Sequence, residues 1–579
     1  MKKNSRFLVL LIILCFFYSP AFSEGSAHEM SFCNLSFHLE AHFASGTKKA
    51  GLYVSPALEN KPEAHIEPTS SITLLGIENK SWHVQADESS GYVSKSKISF
   101  VGIPDGNAPV SNSVLSSTLK TSATMVRPRD EDYILLEGSQ ELSEAVDFIG
   151  FFLWDEWQKQ VERTWLFAPD SPTAKLDAET FARVMPTKNL NAGRKMLCIQ
   201  GFISGRSVVL ARLPFFVAGK VANPVSLNHL CTFVPNDHRL LDSNPETCWS
   251  PSEKRKELTV SLPKDTPASL IQMEWYKPPE KTEIIVSSAD GTELLNETLE
   301  TGFLVDSVSL PANAVTVVIR PYGKRLRMSS VRVYADDYPR ELVQQWKPMP
   351  EKLDMLLFST HQDDEILFFS GLTPWYSHLG KEIGIVYMSN CGRARYREAL
   401  DGIWLSGIRI HPVLLGYPDK DIASMDVARN LWPEAQEAVV RELRRCKPDV
   451  VVVQDQNGEY GHTQHKLTSE LVCKGVELAA DASFDPESAA EYGVWDVKKL
   501  YVHLYEKDQV HMDWNIPLPE CGGFTPWDIS VAAFEMHHSQ YGYFRMERQS
   551  IEYDSSLFGL YRSTVGPDSI GNDMFENLE

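Results

Sequence analysis

The feature that most constrains the fold of this chain is a set of short, continuous apolar runs in its C-terminal part. The clearest are Met355–Phe358, Ile383–Met388 and Asp449–Val453. Runs of this kind are typical of parallel strands that are buried on both faces of a sheet. Between them, residues 395–405 and 435–446 carry apolar side chains at helical spacing. Strands that alternate with helices predict a three-layer α/β domain with a mostly parallel sheet.

The part of the chain before this domain has a different character. Its short β-type runs are separated by Pro, Gly, Asn, Asp and Ser, which is the pattern of all-β modules. At 579 residues the chain is also too long for a single hydrophobic core, so a multidomain protein is expected. The predicted divisions are a small β-barrel at residues 50–104, a β-sandwich at 129–220, a jelly roll at 224–337, a linker at 338–352 and the α/β domain at 353–579.

Two of these modules resemble known domain types. Residues 50–104, with a central Trp82 and a closing Gly91-Tyr92-Val93, resemble the bacterial Src-homology-type barrel. Residues 240–249 read Leu-x-Asp-x-x-x-x-Thr-x-Trp and precede the strand-like Glu257–Leu262, as in discoidin-like jelly rolls, which often bind carbohydrate. Three aromatic side chains of this jelly roll either face a sugar or fill its core: Trp249, Trp275 and Tyr276.

The first 23 residues predict a signal peptide. A basic start is followed by the apolar stretch Phe7–Phe17 and by the cleavage-site pattern Ala21–Ser23. We expect the mature chain to begin near Glu24 and the protein to be secreted or held in the cell envelope. The alternative is a membrane anchor, but a spanning helix needs about 20 apolar residues. No later run is long enough, so no transmembrane segment is expected after signal removal. The formal charge of −21 argues against nucleic acid as a partner.

Two polar clusters follow the predicted strands of the α/β domain. His361–Glu365 comes directly after the first strand, and Gly458–His465 comes shortly after the Asp449–Val453 strand. Because ligands of such sheets bind beyond the carboxyl ends of the strands, we expect both clusters to lie at one edge of the sheet. Acidic residues also cap helices without any ligand, which is the alternative interpretation of the first cluster alone.

The residue types in these clusters suit a hydrolytic metal site. Two imidazoles and one carboxylate, here His361, Asp364 and His465, form a ligand set for zinc, although another divalent metal is possible. Asp363 is then free to act as the general base that takes a proton from water. His462 could stabilise the oxyanion or protonate the departing amine.

Other polar residues near these clusters have two interpretations each. Tyr460 is either an auxiliary catalytic donor or a loop aromatic that packs on the strand ends. Arg395 is a candidate for substrate binding, whereas Arg393 and Arg397 fit a solvated helix face better. Several histidines have no partner at ligand spacing and are interpreted as structural or surface residues: His378, His411, His503, His511 and His537.

Residues from about 352 to 545 resemble the LmbE-like (PIG-L) zinc-dependent de-N-acetylases. Members carry His-Pro-Asp-Asp-Glu after the first strand and a later Gly-His-Pro-Asp-His, where this chain has His361–Glu365 and Gly461–His465. The resemblance implies the roles given above, and it extends to Arg395-x-x-Glu398 and His538-Ser539-Gln540. Gln362 and Gln464 depart from the pattern. An amide at position 464 holds His462 less firmly charged than a carboxylate would.

These observations predict a secreted zinc-dependent N-deacetylase. It would remove N-acyl groups, most simply acetyl, from amino sugars or glycans such as a cell-surface or wall polysaccharide. One alternative is a glycan-binding or adhesion protein whose hydrolase domain is degenerate. The other is an amidase that keeps the metal chemistry but acts on a small amide other than a sugar.

Overall fold

The computed structural model describes residues 35–78, 80–105, 120–121, 125–126, 133–139, 146–168, 180–186, 189–219, 221–251, 256–420, 422–521, 523–544, 546 and 553–578. The predicted signal peptide, residues 1–23, lies outside these ranges. Within them, no helix is long and apolar enough to cross a membrane. The chain forms three β-rich units followed by an α/β domain, so the expected multidomain organisation with a largely β N-terminal part is confirmed.

The first unit is built from short antiparallel strands. They are β1 (Ser36–Phe43), β2 (Ala50–Leu52), β3 (Ala64–Ile66), β4 (Ile72–Ile77), β5 (Ser81–Ala86), β6 (Ser89–Ser94) and β7 (Ile98–Asp105). Strand β1 lies before residue 50, where this module was predicted to begin. It nevertheless belongs to the unit, because it pairs along its whole length with β7. Its sequence alternates polar and apolar residues, the usual pattern of a half-buried strand, which the sequence interpretation missed.

The second unit contains a five-stranded sheet with the order β12-β11-β14-β15-β9 and a three-stranded sheet with the order β13-β10-β8. Its strands are β8 (Lys120–Thr121), β9 (Met125–Val126), β10 (Tyr133–Ser139), β11 (Phe148–Asp155), β12 (Gln160–Phe167), β13 (Thr180–Pro186), β14 (Gly193–Ile203) and β15 (Arg206–Val217). Phe37 of β1 stacks on Phe152 of β11, with ring centroids 4.9 Å apart. The first two units therefore share one hydrophobic core.

The third unit packs a five-stranded sheet, β16-β17-β22-β19-β20, against a three-stranded sheet, β21-β18-β23. Its strands are β16 (Thr232–Val234), β17 (Leu258–Ser261), β18 (Leu270–Lys277), β19 (Lys281–Ser287), β20 (Glu293–Leu299), β21 (Val305–Ser309), β22 (Thr316–Tyr322) and β23 (Arg327–Tyr334). Trp249 and Trp275 are buried in its core, and the Trp275 indole donates a hydrogen bond to Asp306 at 2.8 Å. These two side chains therefore fill the core rather than face a sugar, whereas Tyr276 is half-buried.

The α/β domain is organised around a seven-stranded sheet with the order β26-β25-β24-β27-β28-β30-β29. Its strands are β24 (Met355–Ser359), β25 (Ile383–Asn390), β26 (Val413–Pro418), β27 (Val450–Val453), β28 (Lys499–His503), β29 (Gln509–His511) and β30 (Leu557–Ser563). The pairings from β26 through β28 are parallel, and the two pairings of β30 are antiparallel. The carboxyl ends of the parallel strands therefore meet at one edge of the sheet.

Helices cover both faces of this sheet. They are α1 (Asp364–Leu367), α2 (Leu372–His378), α3 (Arg393–Leu405), α4 (Met425–Leu431), α5 (Ala435–Cys446), α6 (Thr463–Leu478), α7 (Pro486–Tyr492) and α8 (Pro526–Phe534). Short 3-10 helices occur at Leu227–Leu230, His238–Leu240, Glu459–Gly461, Pro519–Cys521 and His538–Gln540. Leu357 faces α1, α2, α3 and α8, whereas Leu356 and Phe358 face α4, α5 and α6. Burial on both faces explains why the strands are continuous apolar runs.

The segment predicted as a linker, residues 338–352, is packed between the jelly roll and the α/β domain. Val343 is fully buried and packs with Leu270 of the jelly roll. The Gln344 side chain donates a hydrogen bond at 2.6 Å to Asp401 of α3. The Gln344 backbone carbonyl accepts one from the Gln272 side chain. The segment is thus a fixed connection, which its prolines and mixed charge did not indicate.

Candidate active site

The first polar cluster forms the turn between β24 and α1. The Asp364 carboxylate is buried there, and its Oδ2 accepts hydrogen bonds from the His361 backbone N–H at 2.8 Å and from Gln454 Nε2 at 2.9 Å. The same oxygen lies 3.1 Å from His361 Nδ1. Since Gln454 directly follows β27, the ends of two neighbouring strands together hold this carboxylate in place.

The second polar cluster brings His465 to the same point. His465 lies in the first turn of α6, and its Nε2 is 3.1 Å from His361 Nδ1 and 3.2 Å from Asp364 Oδ2. His462 lies beside them, so that one nitrogen each of His361, His462 and His465 falls within 4.8 Å of the others. The structure therefore brings together the three predicted metal ligands and adds His462 to the group.

A tight turn at Gly458 precedes the histidines of the second cluster at this edge of the sheet. Gly458 has a positive φ of 68°, and a Cβ on it would meet the His462 carbonyl oxygen at 2.5 Å, so only glycine fits. Tyr460 also has a positive φ, 46°, which is uncommon for an aromatic residue.

The donor set at this point fits a divalent cation such as zinc. Imidazole nitrogens and a carboxylate oxygen lie about 3 Å apart in a buried place, which is the chemistry of zinc sites. The Nδ1 atom of His462 is also buried, and it has no hydrogen-bond partner within the described part of the chain. A buried polar atom without a partner is costly unless a ligand satisfies it.

Asp363 is fully buried beside the ligand group and is held by Arg395. Arg395 Nη2 donates to Asp363 Oδ2 at 2.5 Å, and Arg395 Nε donates to the Gln362 carbonyl at 3.3 Å. Among the described residues, Asp363 Oδ1 has no hydrogen-bond partner. Burial and the charge of Asp364 raise the pKa of Asp363 to about 6, although Arg395 opposes this shift. One oxygen is therefore oriented by Arg395, and the other remains free to accept a proton.

The two remaining predicted catalytic residues, Tyr460 and His462, lie beside the ligand group. Tyr460 is half-exposed, and its ring lies edge-on to His462 and His465 at 5.6 Å and 5.4 Å between centroids. It also lies 6.1 Å from the ring of Phe368, so its contacts are consistent with both interpretations of its role. Burial lowers the pKa of His462 to about 4, with further contributions from His465 and His361.

The sequence interpretation missed two residues behind His465. Glu459 is buried, with Oε2 2.7 Å from His465 Nδ1 and Oε1 2.7 Å from His503 Nδ1. His503, interpreted as structural or surface, is the last residue of β28 and is also buried. The rule that located both polar clusters applies to His503 as well, since it marks the carboxyl end of a parallel strand.

The loop after the edge strand β26 supplies a further carboxylate that the sequence interpretation missed. Asp419 Oδ1 lies 3.4 Å from His361 Nε2. Gln464, the departure from the family pattern, donates from Nε2 to the Pro418 carbonyl at 2.8 Å, and its Oε1 lies 3.4 Å from the same His361 nitrogen. The Gln464 amide therefore holds the chain at Pro418. Gln464 has no carboxylate for the site, but Asp419 places one next to His361.

Helix α3 joins the site to the jelly roll. Arg393 and Arg397, predicted to be solvated, bind Glu246 and Glu274 of the jelly roll, each at 2.5 Å. That prediction was wrong because the partners lie far away in the sequence and pair only through the tertiary fold. On another side of α3, Arg395 contacts Asp363, as described above.

The C-terminal motif predicted from the family resemblance also contacts α3. Glu398 accepts hydrogen bonds from the backbone N–H of Ser539 at 3.0 Å and from its hydroxyl at 2.6 Å.

Residues 356–475 match the family PIG-L: GlcNAc-PI de-N-acetylase. The chain therefore carries a PIG-L domain, as the resemblance predicted, and this stretch contains both polar clusters.

Among curated proteins, the chain is 43% identical over 178 residues to the 1D-myo-inositol 2-acetamido-2-deoxy-alpha-D-glucopyranoside deacetylase 1 of Catenulispora acidiphila. That match covers 25% of this chain and 54% of the relative, so the chain spans about half the length of this relative. The 1D-myo-inositol 2-acetamido-2-deoxy-alpha-D-glucopyranoside deacetylase of Rhodococcus erythropolis is 25% identical over 223 residues, covering 31% of this chain and 74% of that protein.

Two solved structures are each similar to a part of the chain. The N,N'-diacetylchitobiose deacetylase from Pyrococcus horikoshii has 19% sequence identity and a TM-score of 0.26, and the match covers 33% of this chain and 71% of that one. CpGH89CBM32-6 of Clostridium perfringens has 19% identity and a TM-score of 0.17, covering 19% of this chain and 99% of that one.

Proposed function

We propose that this protein is a metal-dependent hydrolase that removes N-acetyl groups from amino sugars in a glycan. The observation that carries the proposal is the convergence of His361, Asp364 and His465 around one point, with Asp363 beside them. The match to the PIG-L family and the names of its relatives, which are deacetylases of an acetamido sugar, support the choice of reaction.

In this proposal, His361, Asp364 and His465 hold zinc or a similar divalent cation. When bound, such a cation supplies a Lewis acid that polarises the amide carbonyl and lowers the pKa of the attacking water. Asp363 accepts the proton of that water on Oδ1, the oxygen without a partner in the described chain. Arg395 keeps the carboxylate in this orientation by binding Oδ2.

His462 and Tyr460, which lie beside the ligand group, act on the carbonyl oxygen of the substrate. His462 is half-buried next to the ligand group, where the N–H of its neutral ring can stabilise the oxyanion. Tyr460 is half-exposed beside it and serves as an auxiliary donor for the same oxygen.

A cleft between the jelly roll and the α/β domain supports a substrate larger than one sugar. Its volume is about 650 Å³, within the range of ligand sites. The jelly roll lines it with Tyr276 and Lys277, and the α/β domain lines it with Asn390 and Arg393. The ligand group itself does not line this cleft, which offers room for a neighbouring sugar unit of a glycan.

The test is acetate release from N-acetylglucosamine and its oligomers by the purified full chain, with and without chelator and added zinc. We expect chelator-sensitive release that is faster on oligomers. Asp363→Asn should lower it by about 10²- to 10⁴-fold, the usual contribution of a general base, without loss of bound metal. Asp426→Asn, an exposed residue of α4, is the matched control and should leave the rate unchanged.

The alternatives give different results in the same assay. If the protein binds metal stoichiometrically but releases no acetate from any sugar, the glycan proposal is wrong and a small amide other than a sugar becomes the substrate class. If it neither binds metal nor releases acetate, the binding-protein hypothesis replaces the enzyme.

We also propose that the protein is exported after removal of residues 1–23. The support is the basic start and the apolar stretch of the N-terminal segment. N-terminal sequencing of the protein from its native cells should find a first residue near Glu24, and a retained Met1 would contradict the proposal.

A further inference from the structure

We infer that Glu459 and His503 form a positioning pair that orients His465 towards the bound cation. The inference rests on the metal-dependent function proposed above, but it concerns residues behind the ligand group that do not touch substrate.

Glu459 determines which nitrogen of His465 faces the site. Its Oε2 lies 2.7 Å from His465 Nδ1, so Nδ1 carries the hydrogen and donates it to the carboxylate. The other nitrogen, Nε2, then presents its lone pair towards Asp364 and His361, at 3.2 Å and 3.1 Å. A carboxylate in this place usually fixes the tautomer of a metal-binding histidine and makes the ring a stronger ligand.

His503 in turn holds Glu459. Its Nδ1 lies 2.7 Å from Glu459 Oε1, and its Nε2 lies 3.2 Å from the Asp554 carbonyl oxygen. A carboxylate and a carbonyl both only accept hydrogen bonds, so both ring nitrogens of His503 face acceptors. Its ring is fixed by packing near Phe369 and Phe558, with centroids 6.1 Å and 5.5 Å away.

The burial of Glu459 explains why the two residues act as a pair. Its carboxylate is fully buried, and His465 and His503 each make a hydrogen bond to one of its two oxygens. A buried carboxylate is tolerated only when it is paired. His503 supplies one of these partners from outside the ligand group, so the position of Glu459 does not depend on His465 alone.

The first test compares Glu459→Gln with Glu470→Gln in the full chain. Glu470 is an exposed residue of α6 that pairs with Arg429, so its variant makes the same chemical change away from the site. Zn²⁺ affinity is measured by competition with a fluorescent chelator, without substrate. Glu459→Gln should weaken Zn²⁺ binding by about 10- to 100-fold. The Gln amide has one oxygen that can accept a hydrogen bond from His465 or His503, but its NH₂ group can only donate and cannot accept from the other ring. Glu470→Gln should bind within about twofold of wild type.

A second variant keeps the test decisive if Glu459→Gln does not fold. His503→Phe preserves a ring against Phe369 and Phe558, but it removes both hydrogen bonds of His503. It should weaken Zn²⁺ binding less than Glu459→Gln does. Both variants should shift the visible absorption of bound Co²⁺, which reports ligand geometry and would not respond to a general loss of stability.

The outcomes separate this inference from the proposed function. If wild type binds Zn²⁺ and the folded variants bind it equally well with unchanged Co²⁺ spectra, the positioning role is refuted, although the deacetylase proposal stands. If the variants lose affinity as expected but wild type releases no acetate, the positioning role stands and the proposed substrate is wrong. If wild type binds neither Zn²⁺ nor Co²⁺, both fail.

Discussion

Acidification should weaken the contact between the jelly roll and the α/β domain, because His411 lies in that contact and has to remain uncharged. The His411 ring stacks on Phe303 of the jelly roll with centroids 4.1 Å apart and an angle of 9° between the ring planes. Its Nδ1 donates to the Pro412 carbonyl at 2.9 Å. Its Nε2 is buried and has no hydrogen-bond partner within the described chain. A second proton would therefore occupy a nitrogen that no acceptor faces.

The size of the effect follows from the pKa of this ring. Burial lowers the pKa of His411 from 6.5 to about 4, although the hydrogen bond to Pro412 opposes the shift. Above pH 6.5 the ring is neutral in both the folded and the unfolded chain, so it adds no pH dependence. Between pH 6.5 and about 4 only the unfolded chain takes up the proton, so stability falls as the pH falls. At about 1.36 kcal/mol per pH unit, the difference of 6.5 − 4 corresponds to about 3 kcal/mol.

The assay is urea unfolding of the full chain at about pH 7.5 and about pH 5, compared with the variant His411→Asn. The Asn amide keeps a donor for the Pro412 carbonyl but does not titrate. Tryptophan fluorescence is a suitable signal, because the Trp346 ring centroid lies 5.5 Å from that of His411. Other groups titrate in both proteins, so the difference between their unfolding free energies isolates His411. That difference should shrink by about 2 kcal/mol between the two pH values. A difference that stays constant would refute the reasoning, because it would mean that His411 can be charged in the folded state.

Two further predictions concern the jelly roll and the active site. Trp275→Ala should lower the unfolding free energy of the jelly roll by about 3–5 kcal/mol, because the side chain is fully buried and bonded to Asp306. Urea denaturation measures this loss, and an unchanged midpoint would contradict the core assignment. Arg395→Ala should lower kcat by about 10²-fold, because Asp363 loses the group that orients it. Initial rates together with metal analysis check this, and a loss of bound metal instead would show that Arg395 supports the ligands.

The active site was predictable from the sequence as far as it depends on strand ends. His361, Asp363 and Asp364 follow one apolar strand and His465 follows another, so the parallel sheet brings them to one edge. The partners of these residues were less predictable. Glu459 lies within the second polar cluster, but the local sequence does not show that it contacts His465 and His503. His503 comes from strand β28, far away in the sequence.

Long-range contacts are also what local composition could not show. The linker prediction came from local composition, which does not reveal that Val343 is buried against the jelly roll or that Gln344 bonds to α3. Arg393 and Arg397 have the composition of a solvated helix face, but their carboxylate partners lie in the jelly roll. Local patterns report whether a side chain can be exposed, not which surface covers it.

By itself, the sequence predicted the buried strands of the α/β domain and the residue types of the candidate site. Continuous apolar runs are recognisable as doubly buried strands, and histidines and carboxylates that follow such strands are recognisable as candidate ligands. Only the tertiary structure decided the strand order, the shared core of the first two units and the pairing of His503 with Glu459. The physical reason is that periodicity and burial are properties of neighbouring residues. Contacts between distant segments depend on how complete elements pack together.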